Sequence, residues 1–107
     1  MEAKQFYIQG LGSLTKDDLT SAERSFRESI SADAAFGLGH LGLSQVLDRQ
    51  GRVDEAISSA KKAIDLMPDD PLPHTSLSRL YQQKDMIDEA EDEMALSMKL
   101  QRQGEEG

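Results

Sequence analysis

The chain repeats itself at a spacing of 34 residues. His40, Leu43, Ser44, Asp54, Glu55, Ala56 and Leu66 return as His74, Leu77, Ser78, Asp88, Glu89, Ala90 and Leu100. Leu38 also returns as Leu72, and the inexact matches keep their apolar character, with Val53 at Ile87 and Ile64 at Met98. A fixed period of this length specifies one small supersecondary unit used several times, each copy burying its apolar face on the next.

Three units fit, at about 3–36, 37–70 and 71–104, making one domain over 1–103 with a polar tail at 104–107. Each unit reads as two helices, and the six are predicted near 3–14, 18–32, 36–49, 53–67, 71–83 and 87–102. Between them, Asp17 and Asp18 are placed to cap the second helix by accepting from its orphan backbone N–H groups. Gly51 offers the left-handed conformation that ends many helices. Asp70 before Pro71 reads as a cap followed by the first helical residue, where a missing N–H costs nothing. Asp88 and Glu89 open the last helix and Lys99 and Arg102 close it, an order that complements the helix dipole.

The middle unit reads His40-x2-Leu43-Ser44-x2-Leu47, then Ala56-x3-Ala60, then Pro68. The third reads His74-x2-Leu77-Ser78-x2-Tyr81 and Ala90-x3-Met94, with Asp85 in the turn and Arg102 in the proline slot. The first, weaker, reads Phe6-x2-Gln9-Gly10-x2-Ser13 and Ala22-x3-Phe26, with Ala34 in that slot. This pattern resembles the tetratricopeptide repeat, whose 34-residue unit carries W-x2-L-G-x2-Y, A-x3-F and P. The resemblance covers nearly the whole chain and is degraded at both ends, as in a capped array. It implies an all-α solenoid of three stacked helix-turn-helix hairpins in a right-handed superhelix, working by protein–protein binding without catalysis or cofactor.

Composition sets outer limits. Five aromatic residues and 37% apolar content predict a thin aliphatic core. Without cysteine there is neither a disulfide framework nor a thiolate metal site. The first 30 residues hold no apolar run of signal-peptide length and no stretch nears 18 apolar residues, so a cytoplasmic location is expected. A net charge of -8 argues against nucleic acid or an anionic membrane as partner, because both demand a concentrated basic surface.

Several strings imitate chemistry. Gly37-Leu38-Gly39-His40-Leu41-Gly42 is a literal GxGxxG, but the dinucleotide fingerprint needs a preceding strand, and the register makes this segment helical. Its glycines are expected to let neighbouring helices approach, each at a cost of about 1 kcal/mol in a helix interior. Ser58-x-x-Lys61 and Ser59-x-x-Lys62 lack the companion motifs of the penicillin-binding enzymes. His40 and His74 stand one hairpin apart, in the slot where the family places a bulky aromatic, so they read as filler rather than metal ligands. The six acids of "DMIDEAEDEM" read as a solvated face.

What remains is surface. In the family the first helices of the hairpins line a concave groove that receives peptides or helices. The helical period places Lys4, Tyr7, Leu11 and Thr15 on that side of the first repeat. Leu38, Leu41, Gln45 and Arg49 follow in the second, and Leu72, Thr75, Arg79 and Gln83 in the third. None of these twelve is acidic in a chain with twenty acids, which suits a segment with apolar anchors and some negative charge. The family's heat-shock co-chaperones grip a C-terminal carboxylate with lysines, asparagines and an arginine, yet the matching positions here are Tyr7, Leu11, Gly42, Leu72 and Ser76. Capture of a chaperone tail by that clamp is therefore not expected. An alternative is self-association through Met94 and Met98, which the pattern leaves uncovered on the last helix. A third possibility is a piece of a longer array, or a likeness, in size and charge only, to the small acidic translocator chaperones of bacterial secretion systems.

Overall fold

The computed structural model describes residues 1–106 and contains six helices. They are α1 (Ala3–Thr15), α2 (Leu19–Ala32), α3 (Gly37–Arg49), α4 (Val53–Leu66), α5 (Pro71–Gln83) and α6 (Ile87–Glu106). Each odd-numbered helix pairs with the next to form a hairpin, and α3 and α5 each lie against the second helix of the preceding hairpin. First helices also meet one another, α1 with α3 and α3 with α5. No residues of α2 and α4, or of α4 and α6, come within 8 Å between Cα atoms. A stack whose first helices touch and whose second helices splay apart is curved, with α1, α3 and α5 on the inner side.

The turns repeat as the helices do. Asp17, Gly51 and Asp85 all adopt left-handed backbone conformations, at φ 61°, 76° and 58°. The expected capping role of Asp17 is therefore corrected: Asp18 alone caps α2, accepting from the Ser21 N–H at 3.2 Å, and Asp17 makes the turn. Aspartate takes this region more readily than most residues, so two repeats manage without glycine. Asp70 caps α5 by accepting from the Leu72 N–H at 2.9 Å, with Pro71 at the first helical position. The last helix runs past the expected end at residue 102, taking the polar tail as far as Glu106 into helix.

Repeat positions that need small residues show why. Ala22, Ala56 and Ala90, one per hairpin, are at most 1% exposed. Opposite two of them, the Ser44 hydroxyl donates to the Ala56 carbonyl at 2.8 Å and the Ser78 hydroxyl to the Ala90 carbonyl at 2.7 Å. Gly10 takes this place in the first hairpin, and there the Phe26 ring lies close against the backbone. A Cβ on Gly10 would stand 2.5 Å from Phe26 Cε1, and one on Gly42 only 2.4 Å from the same atom. The ring is thus wedged between α1 and α3 and is fully buried. A Cβ on Gly37 would stand 2.5 Å from the Met67 side chain and one on Gly39 2.9 Å from the Ser29 hydroxyl, so all three glycines of the GxGxxG string serve close packing. Leu43, Val46, Leu47, Leu77, Leu80 and Tyr81 complete a mostly aliphatic core that runs through the array.

Candidate functional site

The inner surface is built by α1, α3 and α5, and the twelve positions singled out above fall into distinct environments. Leu72 is 54% exposed, and Lys4, Thr15, Arg49, Arg79 and Gln83 are also exposed. Tyr7, Leu11, Leu38, Gln45 and Thr75 are half-buried. Leu41 is 2% exposed, which removes it from any partner-binding face. Its helix is the central one, covered by α1 on one side and α5 on the other, whereas Tyr7 and Thr75 at the same repeat position belong to the outer repeats.

Two of the bases are engaged within the array. Arg79 meets the Asp48 carboxylate at 2.9 Å and the Gln83 amide donates to its other oxygen at 2.8 Å, tying α5 to α3. Arg49 donates to the Leu14 carbonyl at 3.1 Å, tying α3 to α1. In both later repeats the thirteenth position of a first helix therefore reaches the twelfth position of the one before it, Arg49 to Leu14 and Gln83 to Asp48. Asp48 was missed in the sequence because it stands one residue beside the twelve, yet its carboxylate neutralises the base at the C-terminal end of the surface. Lys4 makes no ion pair among the described residues.

The N-terminal part of the surface is aromatic. Tyr7 packs on Phe26 with centroids 6.0 Å apart and edge-on to Phe36 at 5.9 Å. Partial burial, and after it the negative charge of Asp70, push the Tyr7 phenol above its usual range. It is therefore neutral at physiological pH, fit to donate a hydrogen bond and to offer a ring face. A cleft of about 340 Å³ lined by Gln45, Thr75, Ser76, Arg79, Gln82 and Met94 opens at the other end.

Outside this surface a polar cluster joins the first two repeats. Glu23 of α2 accepts from Arg27 at 2.9 Å, from Gln50 at 3.1 Å and from Arg52 at 3.0 Å, and Arg52 also forks onto Glu55. Partial burial by itself would raise the Glu23 carboxyl. The hydrogen bonds from Gln50 and Arg27 and the charges of Arg52 and Arg27 outweigh it and hold the group below the usual range. The histidines differ from each other: the His74 Nδ1–H donates to Glu93 at 2.6 Å from a buried position, and the half-buried His40 donates from Nε2 to the Ala34 carbonyl at 2.9 Å. Among the described residues no group of three or more histidine or acidic side chains could hold a metal ion. None of their helices is long and apolar enough to cross a membrane.

A curved stack of helical hairpins with an inner layer of first helices is the architecture of a repeat protein of the helix-turn-helix class. The tetratricopeptide repeat model matches residues 49–106, and the chain belongs to that family of protein-interaction modules. Among solved structures, MamA is similar at a TM-score of 0.92 and 22% identity, over 99% of this chain and 62% of MamA. The TPR2B domain of yeast Sti1 gives 0.93 at 18% identity, over 98% of this chain and 84% of that one. The Yersinia enterocolitica type III secretion translocator chaperone SycD gives 0.88 at 21% identity, over 92% and 74%. At these identities the likeness is one of fold. This chain spans less than two thirds of the length of MamA. No curated protein matches the chain in sequence.

Proposed function

We propose that the chain is a binding module that receives an extended or helical protein segment along the inner surface of α1, α3 and α5. The observation that carries the reading is the row of equivalent positions Lys4, Leu38 and Leu72. Its two leucines are half-buried and 54% exposed on the layer of helices that face one another. Apolar side chains set among polar ones on a concave wall suit anchoring residues of a partner segment. The Sti1 TPR2B domain is a complex with pHsp70 and the second TPR of RPAP3 is bound to the HSP90 peptide SRMEEVD. Shared fold supports the mode of binding, but the clamp positions here carry Tyr7, Leu11, Gly42, Leu72 and Ser76, with no cation among them. Because Arg79 is already paired with Asp48, the partner's anchors are apolar first and acidic second.

The test is a selection of displayed 15-residue peptides against the wild-type protein, with affinities of selected peptides then measured on variants. Leu38→Glu and Leu72→Glu should each weaken binding at least tenfold, while Lys61→Glu on α4 should leave it unchanged. Selected binders indifferent to both leucines would overturn the reading. A second reading, self-association through the last helix, is favoured by the exposure of Met94 (36%) and Met98 (54%).

A further inference from the structure

The repeat register shows what a face like that of α6 is built to receive. On α2, Phe26, Ser29 and Ile30 are covered by α3 through Gly42 and Gly39. One repeat later Ala60, Ala63 and Ile64 occupy the same places on α4, and the two alanines are fully buried. The next equivalents are Met94, Ser97 and Met98 on α6. Ser97 is buried by its own hairpin, bonded to the Thr75 hydroxyl at 2.6 Å; Met94, which also lines the cleft beside α5, is 36% exposed and Met98 is 54% exposed, with no following helix among the described residues against them. The flanking charges follow the same register. Asp54 binds Lys84 and Glu23 binds Arg52, each base coming from the following repeat. Their equivalents Asp88 and Glu91 are exposed and make no ion pair among the described residues.

The complementary face lies at the other end of the same chain. Val46 and Leu80, the residues by which α3 and α5 bury themselves in the array, are at most 1% exposed. Their equivalent on α1 is Gly12, where a Cβ would meet nothing within 4 Å. Ile8, the equivalent of Gly42 and Ser76, is 55% exposed. Lys16 holds the repeat position of Lys84, the base that binds Asp54. Charge agrees at Lys16 and not at Asp18, which holds the repeat position of Arg52 and would face Glu91. Helix α1 contains no acidic residue, whereas α6 carries seven acids and two bases.

We infer that a second copy of this chain stacks its α1 on α6, head to tail, as the next first helix of the array. This rests on the self-association reading and names its geometry. Ile8 of one copy meets Met94 of the other, Gln5 meets Met98, and Lys16 lies opposite Asp88. Such a contact joins two different faces, so it does not close on itself and grows with concentration. Polar Gln5, Gln9 and Ser13, at positions where α3 has Gly39, Leu43 and Leu47, keep the contact weak and reversible. In the stack the inner surface runs on from α5 of one copy to α1 of the next, lengthening the groove without new sequence.

Light scattering on a sizing column over a hundredfold range of concentration tests both ideas. Wild type should gain mass with concentration, and Ile8→Glu and Met98→Glu, both at exposed sites with helix content checked by circular dichroism, should each be monomeric. Mixed in equal amounts, the two variants should form a dimer that grows no further, since each retains the face the other has lost. A wild type that stays monomeric refutes self-association and the stack together. If Met98→Glu dissociates the assembly and Ile8→Glu does not, self-association stands and the head-to-tail geometry is refuted. A mixture that remains monomeric also overturns the stack.

Discussion

Adding one methyl group at Gly42 should reverse the sign of its effect according to what stands at position 26. In the native protein a Cβ on Gly42 would lie 2.4, 2.5 and 2.9 Å from three carbons of the Phe26 ring. The ring has little room to retreat, because Gly10 of α1 lies against the same three carbons at 2.5 to 2.8 Å on the same measure. Overpacking of this kind costs about 1–3 kcal/mol, and replacing a helical glycine with alanine returns about 1 kcal/mol. Gly42→Ala should therefore destabilise wild type by up to about 2 kcal/mol, the difference of the two. Phe26→Ala, which empties the wedge, should cost about 3–5 kcal/mol. In that background the clash is gone, and Gly42→Ala should stabilise by about 1 kcal/mol. Urea unfolding followed by circular dichroism at the four corners of the cycle gives the coupling directly. Phe26→Leu serves as a milder background should the alanine variant unfold too early to fit. An equal effect of Gly42→Ala in both backgrounds would show that the ring is not wedged and would refute the account of the first seam.

Leu41→Glu should unfold or nearly unfold the protein, costing about 4 kcal/mol or more, since it places an unpaired charge at a site 2% exposed. Leu72→Glu should change stability by no more than about 0.5 kcal/mol, so urea midpoints separate a core residue from a surface one. Glu23→Gln should lower stability at pH 7 by about 1 kcal/mol or less. The folded-state pKa of Glu23 lies below its unfolded value, so its contribution is full above the unfolded pKa and disappears as pH falls through the folded one. Unfolding midpoints of wild type and Glu23→Gln should accordingly converge in acid, and converge also in high salt; a difference that persists at low pH would remove the charge network as its cause.

The helices were legible because repetition multiplies a weak signal. Boundaries of the first five agree with the periodic pattern to within a residue. The end of α6 was not legible, since glutamine and glutamate are good helix formers and Gly104 does not by itself stop a helix. Asp17 was misread from its residue type, although its 34-residue spacing from Gly51 carried the answer. Leu41 exposes a different limit. A helical wheel assigns a direction, but burial depends on how many neighbours the helix has, and α3 has them on both sides. Asp48 was invisible for a related reason: the charge that answers Arg79 comes from the adjacent first helix, and no pattern within one repeat reveals it.

Repeats of one architecture create a problem of order, because any hairpin could in principle dock on any other. The two seams of this array are therefore informative in their difference. The first sets a large ring against glycines on both sides, Phe26 between Gly10 and Gly42. The second has small residues at the corresponding places, Ala60 with Ser44 and Ser76. Exchanging the partners would drive Phe26 against the Ser76 side chain in one arrangement, or leave Gly42 facing Ala60 across a void in the other. Either mismatch costs energy of the order of 1–3 kcal/mol, a large fraction of the stability of a small domain. The charges discriminate in the same direction: Glu23 receives Arg52, whereas the equivalent of Arg52 in the third repeat is the apolar Met86. Phe26 and Glu23 on α2, met by Gly42 and Arg52 of the second repeat, thus fix which hairpin follows which.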